Sequence, residues 1–148
     1  MRFCIQVVSN ASVEIDGKKI ASIERGMLVL AGIGKEDNEA VADKMIAKLL
    51  KMRIFSDENG KTNLSLSDIG GELLLVSQFT LYAEIRHGNR PSFTGSMGPV
   101  RAEELYEYIA AQIKPQVKKL ETGVFGADMK VSLVNDGPFT VILDSEDI

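Results

Sequence analysis

Ten residues near the middle of the chain constrain the fold most: Leu73-Leu74-Leu75-Val76-Ser77-Gln78-Phe79-Thr80-Leu81-Tyr82, four aliphatics followed at once by polar side chains. It is the most apolar segment and is predicted to be a central strand. Ser77-Gln78-Phe79-Thr80 falls at its end, where polar groups are costly to bury unless hydrogen-bonded. Two readings fit these residues. Either the strand emerges into solvent, or a hydroxyl and backbone N–H groups form the floor of a pocket.

Around this strand the patterning alternates between two periods. Residues 2–9 and 11–16 read as strands, Asp16-Gly17 as a hairpin turn, and Met27–Ile33 as a strand buried on both faces. From Asp37 the apolar residues Val41, Met45, Leu49 and Met52 recur at helical spacing, with Lys44, Lys48 and Lys51 opposite. Asp37 or Asn38 is the expected N-cap. Asp57-Glu58-Asn59-Gly60 reads as a turn. Pro99 opens a second helix with Leu105, Ile109 and Ile113 inward, and Pro115 ends or kinks it. Residues 117–120 and 124–125 read as extended, and 130–134 and 139–143 as a last pair of strands joined by Asn135-Asp136-Gly137-Pro138. No repeat or linker interrupts this order. The expectation is one domain over residues 1–148, of α+β class, with a largely antiparallel, barrel-like sheet and two main helices.

Composition narrows the chemistry. Of 148 residues, 45% are apolar and 26% charged, as in ordinary globular proteins, and no stretch approaches the roughly 20 apolar residues of a membrane span. The segment Met1–Val8 is too short and too interrupted, by Gln6, for a signal peptide, and reads as a first strand. The lone Cys4 excludes an internal disulfide and suits a reducing compartment, so a cytoplasmic location is expected. Its place in an apolar strand reads as a buried, inert thiol. With one histidine, His87, and no cysteine pair, no metal site is expected. Walker A and Gly-x-Gly-x-x-Gly sequences are absent, so no cofactor is expected either. The net charge of −4 argues against nonspecific coating of nucleic acid. It leaves open a grip on a single-stranded end.

Two further segments could carry function. Asn135-Asp136-Gly137-Pro138 with Thr140 is either an ordinary turn or a shaped element. Arg86-His87-Gly88-Asn89-Arg90-Pro91-Ser92-Phe93 is either a solvated loop or a set of phosphate contacts with Phe93 available for stacking on a base. Asp57, Glu58, Glu103, Glu104 and Glu107 read as solvated carboxylates.

Four motifs in order then carry a resemblance: Ser77-Gln78-Phe79-Thr80-Leu81-Tyr82-Ala83, Arg90-Pro91-Ser92-Phe93-Thr94, Thr122-Gly123-Val124-Phe125-Gly126-Ala127-Asp128-Met129, and Asn135-Asp136-Gly137-Pro138-Phe139-Thr140. With Arg53-Ile54-Phe55-Ser56-Asp57 ahead of them, they resemble the D-aminoacyl-tRNA deacylase family over nearly the whole chain, from Met1-Arg2 to Leu143-Asp144-Ser145. The resemblance implies hydrolysis of D-aminoacyl-tRNA, and of glycyl-tRNA mischarged on tRNA-Ala, at the aminoacylated 3′ end. It implies a homodimer with sites at the interface and no membrane or DNA partner. Ser77, Gln78 and Thr80 are the implied catalytic set. Phe79, Phe125 and Met129 are implied substrate contacts, as are Gly137 and Pro138, joined by a cis bond and inserted from the partner protomer. Such an element would select by shape. With the substrate's ammonium and ester fixed by main-chain groups, an L-side chain meets a wall and a D-side chain points outward.

Three departures stand out. The family usually carries an arginine where this chain has Val7, often a basic residue at Asn10, and a small valine at Phe139. The resemblance implies that this arginine braces the Gly-Pro element. Two rival readings follow: a noncatalytic dimer of the same fold that binds RNA ends, and an esterase or amidase that uses Thr80 as nucleophile on another substrate.

Overall fold

The structure is a computed structural model that describes residues 1–148. Its organising element is β1 (Arg2–Ile15), which borders β3 (Gly26–Gly32) through residues 2–8 and β2 (Lys18–Ile23) through residues 11–15. Along its other edge runs β8 (Lys130–Asp144). These ladders are antiparallel. The central strand β6 (Glu72–Ser77) is instead parallel to both neighbours, β3 and β7 (Leu120–Thr122). Burial of Leu73, Leu74, Leu75 and Val76 matches a strand covered on both faces.

The sheet curls until its ends approach. Lys119 Nζ donates to the Ser22 carbonyl at 2.7 Å, and the Glu24 amide to Glu72 Oε2 at 3.0 Å, so β2 and the β6–β7 end nearly close a barrel. Its interior holds Val8, Ala11, Val13, Ala21, Ile23, Leu28, Leu74 and Val76. The opposite face packs on two helices, α1 (Glu39–Lys51) and α2 (Pro99–Ile113), around Phe3, Ile5, Met27, Val29, Met45, Leu49, Leu73, Leu75, Leu105 and Ile109. The expected α+β, barrel-like architecture with two helices is therefore present.

Both helices follow their local signals. Of the two candidate caps it is Asn38 whose Oδ1 accepts from the Val41 amide, at 3.1 Å; Asp37 accepts from the Gly34 amide instead. Pro99 stands at the start of α2, and Pro115 falls in the 3₁₀ turn, Lys114–Gln116, that ends it. A short ladder of β4 (Phe55–Ser56) and β5 (Thr62–Leu64) brackets the expected 57–60 turn, where Asp57 Oδ1 accepts from the Asn59 and Lys61 amides.

Three expectations change. The central strand stops at Ser77, and Phe79–Tyr82 forms a 3₁₀ turn. The reason is its partner: Ser77 sits opposite Ala31, Gln78 N donates to the Ala31 carbonyl at 2.7 Å, and β3 ends one residue later. Residues 124–125 are not extended, the strand there being Leu120–Thr122. Finally, 130–134 and 139–143 do not form a hairpin. Both belong to β8 and pair with β1, Val134 opposite Asn10 and Thr140 opposite Gln6. Residues 136–138 are unpaired and exposed between the two halves.

Candidate active site

A cavity of about 590 Å³ opens where β6 ends, between the start of α2 and the 125–129 segment. Ala31, Ile33 and Val76 form its base, Ser77, Gln78 and Phe79 one wall, and Phe125, Asp128 and Met129 another. The strand-to-turn transition makes the first wall. Once β6 loses its partner, the chain folds back with Leu81 N donating to the Gln78 carbonyl at 3.3 Å. Gly32 permits the close approach, since a Cβ there would lie 2.9 Å from Leu81 Cβ and 3.1 Å from the Gln78 carbonyl oxygen. The first two amides of such a turn, those of Phe79 and Thr80, have no partner inside it.

The far end of the turn is held by Arg2. Its Nη1 donates to the Leu81 carbonyl at 3.1 Å, its Nε to Asp144 Oδ2 at 2.6 Å, and its guanidinium lies 4.6 Å from the centre of the Tyr82 ring. Burial pushes the Asp144 carboxyl up, but Arg2 and the Glu146 amide outweigh this and hold it below the usual carboxylate range. Tyr82 is pushed upward, first by burial and then by Asp37, so its phenol stays protonated.

The second wall rests on Tyr106. Its hydroxyl donates to the Leu75 carbonyl at 2.8 Å, and that carbonyl also accepts from the Gly123 amide at 2.9 Å. Burial raises the Tyr106 phenol as well. Its ring lies 5.9 Å from that of Phe125. At the rim, Phe79 is 56% exposed and meets Phe93 edge-on at 4.9 Å, which ties the 84–94 loop to the cavity. Arg86, His87 and Arg90 lie exposed on that loop, away from the lining.

Five of the residues read from sequence thus meet in one cavity: Ser77, Gln78, Phe79, Phe125 and Met129. Thr80 lies beside it, its Oγ1 hydrogen-bonded by Gln78 Nε2. Gly137 and Pro138 stand outside it, exposed at the 136–139 tip, and the peptide bond between them is cis. The only ionisable lining residue is Asp128, exposed and paired with Lys130 at 2.9 Å. The one side chain hydrogen-bonded to Thr80 Oγ1 is that of Gln78, an amide and not a base. Cys4 is half-buried rather than buried, and desolvation pushes its thiol up, away from the reactive thiolate.

The model of one protein family, described as D-Tyr-tRNA(Tyr) deacylase, matches residues 4–144. The chain belongs to that family. A D-aminoacyl-tRNA deacylase of Thermosipho africanus is 54% identical over 148 residues, covering 100% of this chain and 99% of the relative. One of Koribacter versatilis is 53% identical over 146 residues, covering 99% and 98%. Among solved structures, the c-Myc DNA Unwinding Element Binding Protein superposes with a TM-score of 0.93 at 39% identity, covering 97% of this chain and 98% of that one. The resemblance carried by the four sequence motifs is borne out. Membership makes this chain a deacylase-family enzyme, and no helix is long and apolar enough to cross a membrane.

The sequence reading missed the supports. Arg2 and Tyr106 carry no local motif, and Asn135, though it opens the Asn135–Thr140 motif, shows no sign there of its role; their partners lie far along the chain, at Leu81, Leu75 and Gln6.

Proposed function

We propose that this chain hydrolyses the ester of D-aminoacyl-tRNA as a homodimer in which Gly137-Pro138 of one protomer enters the other's cavity. One observation carries the reading. The cavity lined by Ser77, Gln78, Phe79, Phe125 and Met129 lies in a chain of the deacylase family, while the Gly137-Pro138 tip stands exposed on β8, outside that cavity. Ile142, Val134 and Phe79, 60%, 53% and 56% exposed, offer apolar surface for the second protomer.

In this reading the tip's main-chain carbonyls accept hydrogen bonds from the substrate's α-ammonium. The ester carbonyl faces the amides of Phe79 and Thr80, which stabilise the oxyanion. Water adds to the ester carbonyl carbon and the bond to the ribose oxygen breaks. That oxygen takes up a proton, and the amino acid leaves as its free carboxylate. The neighbouring ribose hydroxyl organises the water, while Thr80 and Gln78, hydrogen-bonded to each other, position the wall. Handedness is read at the α-carbon by a rigid wall, so many D-side chains pass. Glycine lacks a Cβ and passes too, which extends the activity to glycyl-tRNA. Catalysis of this kind uses no metal or cofactor.

The noncatalytic nucleic-acid-binding alternative is favoured by the name of the 39%-identical solved neighbour, a DNA element binding protein. Purified protein incubated with D-tyrosyl-tRNA and glycyl-tRNA, alongside its mass in solution, separates the readings. Release of both amino acids by a particle of twice 16.2 kDa is expected. Tight RNA binding with no release would leave only the binding module, and a fully active monomer would remove the cross-subunit site.

A further inference from the structure

The tip that carries Gly137 and Pro138 has a neck, and one side chain spans it. Asn135 is the last residue paired with β1, opposite Val8, before the chain leaves the sheet, and Thr140, opposite Gln6, is the first to return. Asn135 Oδ1 accepts from the Phe139 amide at 2.6 Å. Its Nδ2 donates to Gln6 Oε1 and to Thr140 Oγ1, each at 3.0 Å, and more weakly to the Phe139 carbonyl at 3.3 Å. One amide therefore replaces the main-chain bonds that the excursion gives up, and ties both strands of the neck to β1.

The tie reaches the tip itself. Gly137 has φ +156°, and its hydrogen faces the Phe139 amide so closely that a Cβ would lie 2.7 Å from that nitrogen. Fixing the Phe139 amide therefore fixes where Gly137 and Pro138 sit. Val7, next to Gln6, supplies none of this. It is 7% exposed and packed in the helix-facing core, with Phe139 against the same cluster.

We infer that Asn135, oriented by Gln6, is the positioning and specificity-determining residue that aims the Gly137-Pro138 element, a role that rests on the deacylase reading above. A loose tip would leave the substrate's α-carbon free to tilt, and the wall would cease to distinguish the enantiomers. Partial networks of this kind lose their function when one member is removed, because the rest cannot hold a single geometry.

The test compares wild type with Asn135→Ala, Asn135→Asp and Gln6→Leu in two readouts. The first is hydrolysis of D-tyrosyl-tRNA and L-tyrosyl-tRNA by each protein. Asn135→Ala is expected to slow the D-substrate about tenfold or more and to shrink the D-to-L rate ratio by a similar factor. Asn135→Asp keeps the acceptor for Phe139 but loses the donors, and Gln6→Leu loses one partner, so both should fall between. A D-to-L ratio unchanged in Asn135→Ala overturns the inference. The second readout needs no substrate: amide exchange at Phe139 should rise in Asn135→Ala while exchange within β1 and β3 stays as in wild type. Unchanged protection at Phe139 also overturns it. A wild type that hydrolyses nothing defeats the deacylase reading instead, and exchange then decides the neck alone. Should Asn135→Ala fail to fold, Gln6→Leu, which changes no residue of the neck or tip itself, is read by the same two criteria.

Discussion

Gly137→Ala probes the tip from its other side. The added methyl would meet the Phe139 amide nitrogen at 2.7 Å and Phe139 Cβ at 3.0 Å. The first of these is backbone and cannot swing aside. The position also has φ +156°, a conformation that costs a residue with a Cβ on the order of 1–3 kcal/mol. The exposed tip can relieve the contact by moving, but only by pulling the Phe139 amide away from Asn135 Oδ1, and a hydrogen bond of that kind contributes about 1 kcal/mol. The two costs are alternatives, so the variant should lose roughly 1–3 kcal/mol of stability by either route. In denaturant titrations at fixed protein concentration this is a lower midpoint with an unchanged slope. On D-tyrosyl-tRNA the rate should fall at least tenfold, or the D-to-L ratio should shrink, because a tip displaced by this contact no longer presents its carbonyls to the substrate's ammonium in the proposed geometry. Unchanged stability together with unchanged rate and handedness would refute both the local geometry and the pocket built on it.

Other expectations are simpler to check. Thr80→Ala should stay within about tenfold of wild type in single-turnover kinetics, because the side chain hydrogen-bonded to its hydroxyl, Gln78, is not a base; a loss near 10⁴-fold would restore it as a nucleophile. Tyr106→Phe should cost about 0.5–1.5 kcal/mol in denaturant, toward the low end, since the Leu75 carbonyl keeps the Gly123 amide. Asp144 titrates below the ordinary carboxylate range in the folded chain. Its stabilising effect is therefore complete above about pH 4 and lost as pH falls through the lower folded value. Asp144→Asn should accordingly be less stable than wild type at pH 7 and converge with it in strong acid; a constant gap across pH would refute the Arg2–Asp144 assignment. Replacing Arg86 and Arg90 together by Ala should raise KM for full-length D-aminoacyl-tRNA and leave hydrolysis of a D-aminoacyl-adenosine unchanged, if that loop meets phosphates. Equal effects on both substrates would argue for a structural role.

What the sequence showed was local. The helix stripe of Met45 and Leu49, the Pro99 start and the buried run Leu73–Val76 depend on neighbours within a few residues, and all appear as expected. The wall residues Ser77–Phe79 and the second wall at Phe125 and Met129 were also legible, through motifs. What was hidden depends on partners distant in the chain. Nothing near Ser77 says that β3 ends beside it, so the turn at Phe79 could not be placed. Asn135-Asp136-Gly137-Pro138 has the composition of a hairpin turn, and only pairing of both flanks with β1 makes it an excursion from one strand. The continuous apolar run of β6 fits a strand covered on both faces but does not name β3 and β7 as its partners, and nothing local marks the bridge from Asn135 to Gln6.

The ratio of hydrolysis rates for D- and L-tyrosine on the same tRNA tests the account most directly. Rapid release of the D-amino acid is expected, with the L-ester decaying no faster than it does without protein. Equal release of both, or faster release of L, would contradict a site that reads handedness by shape.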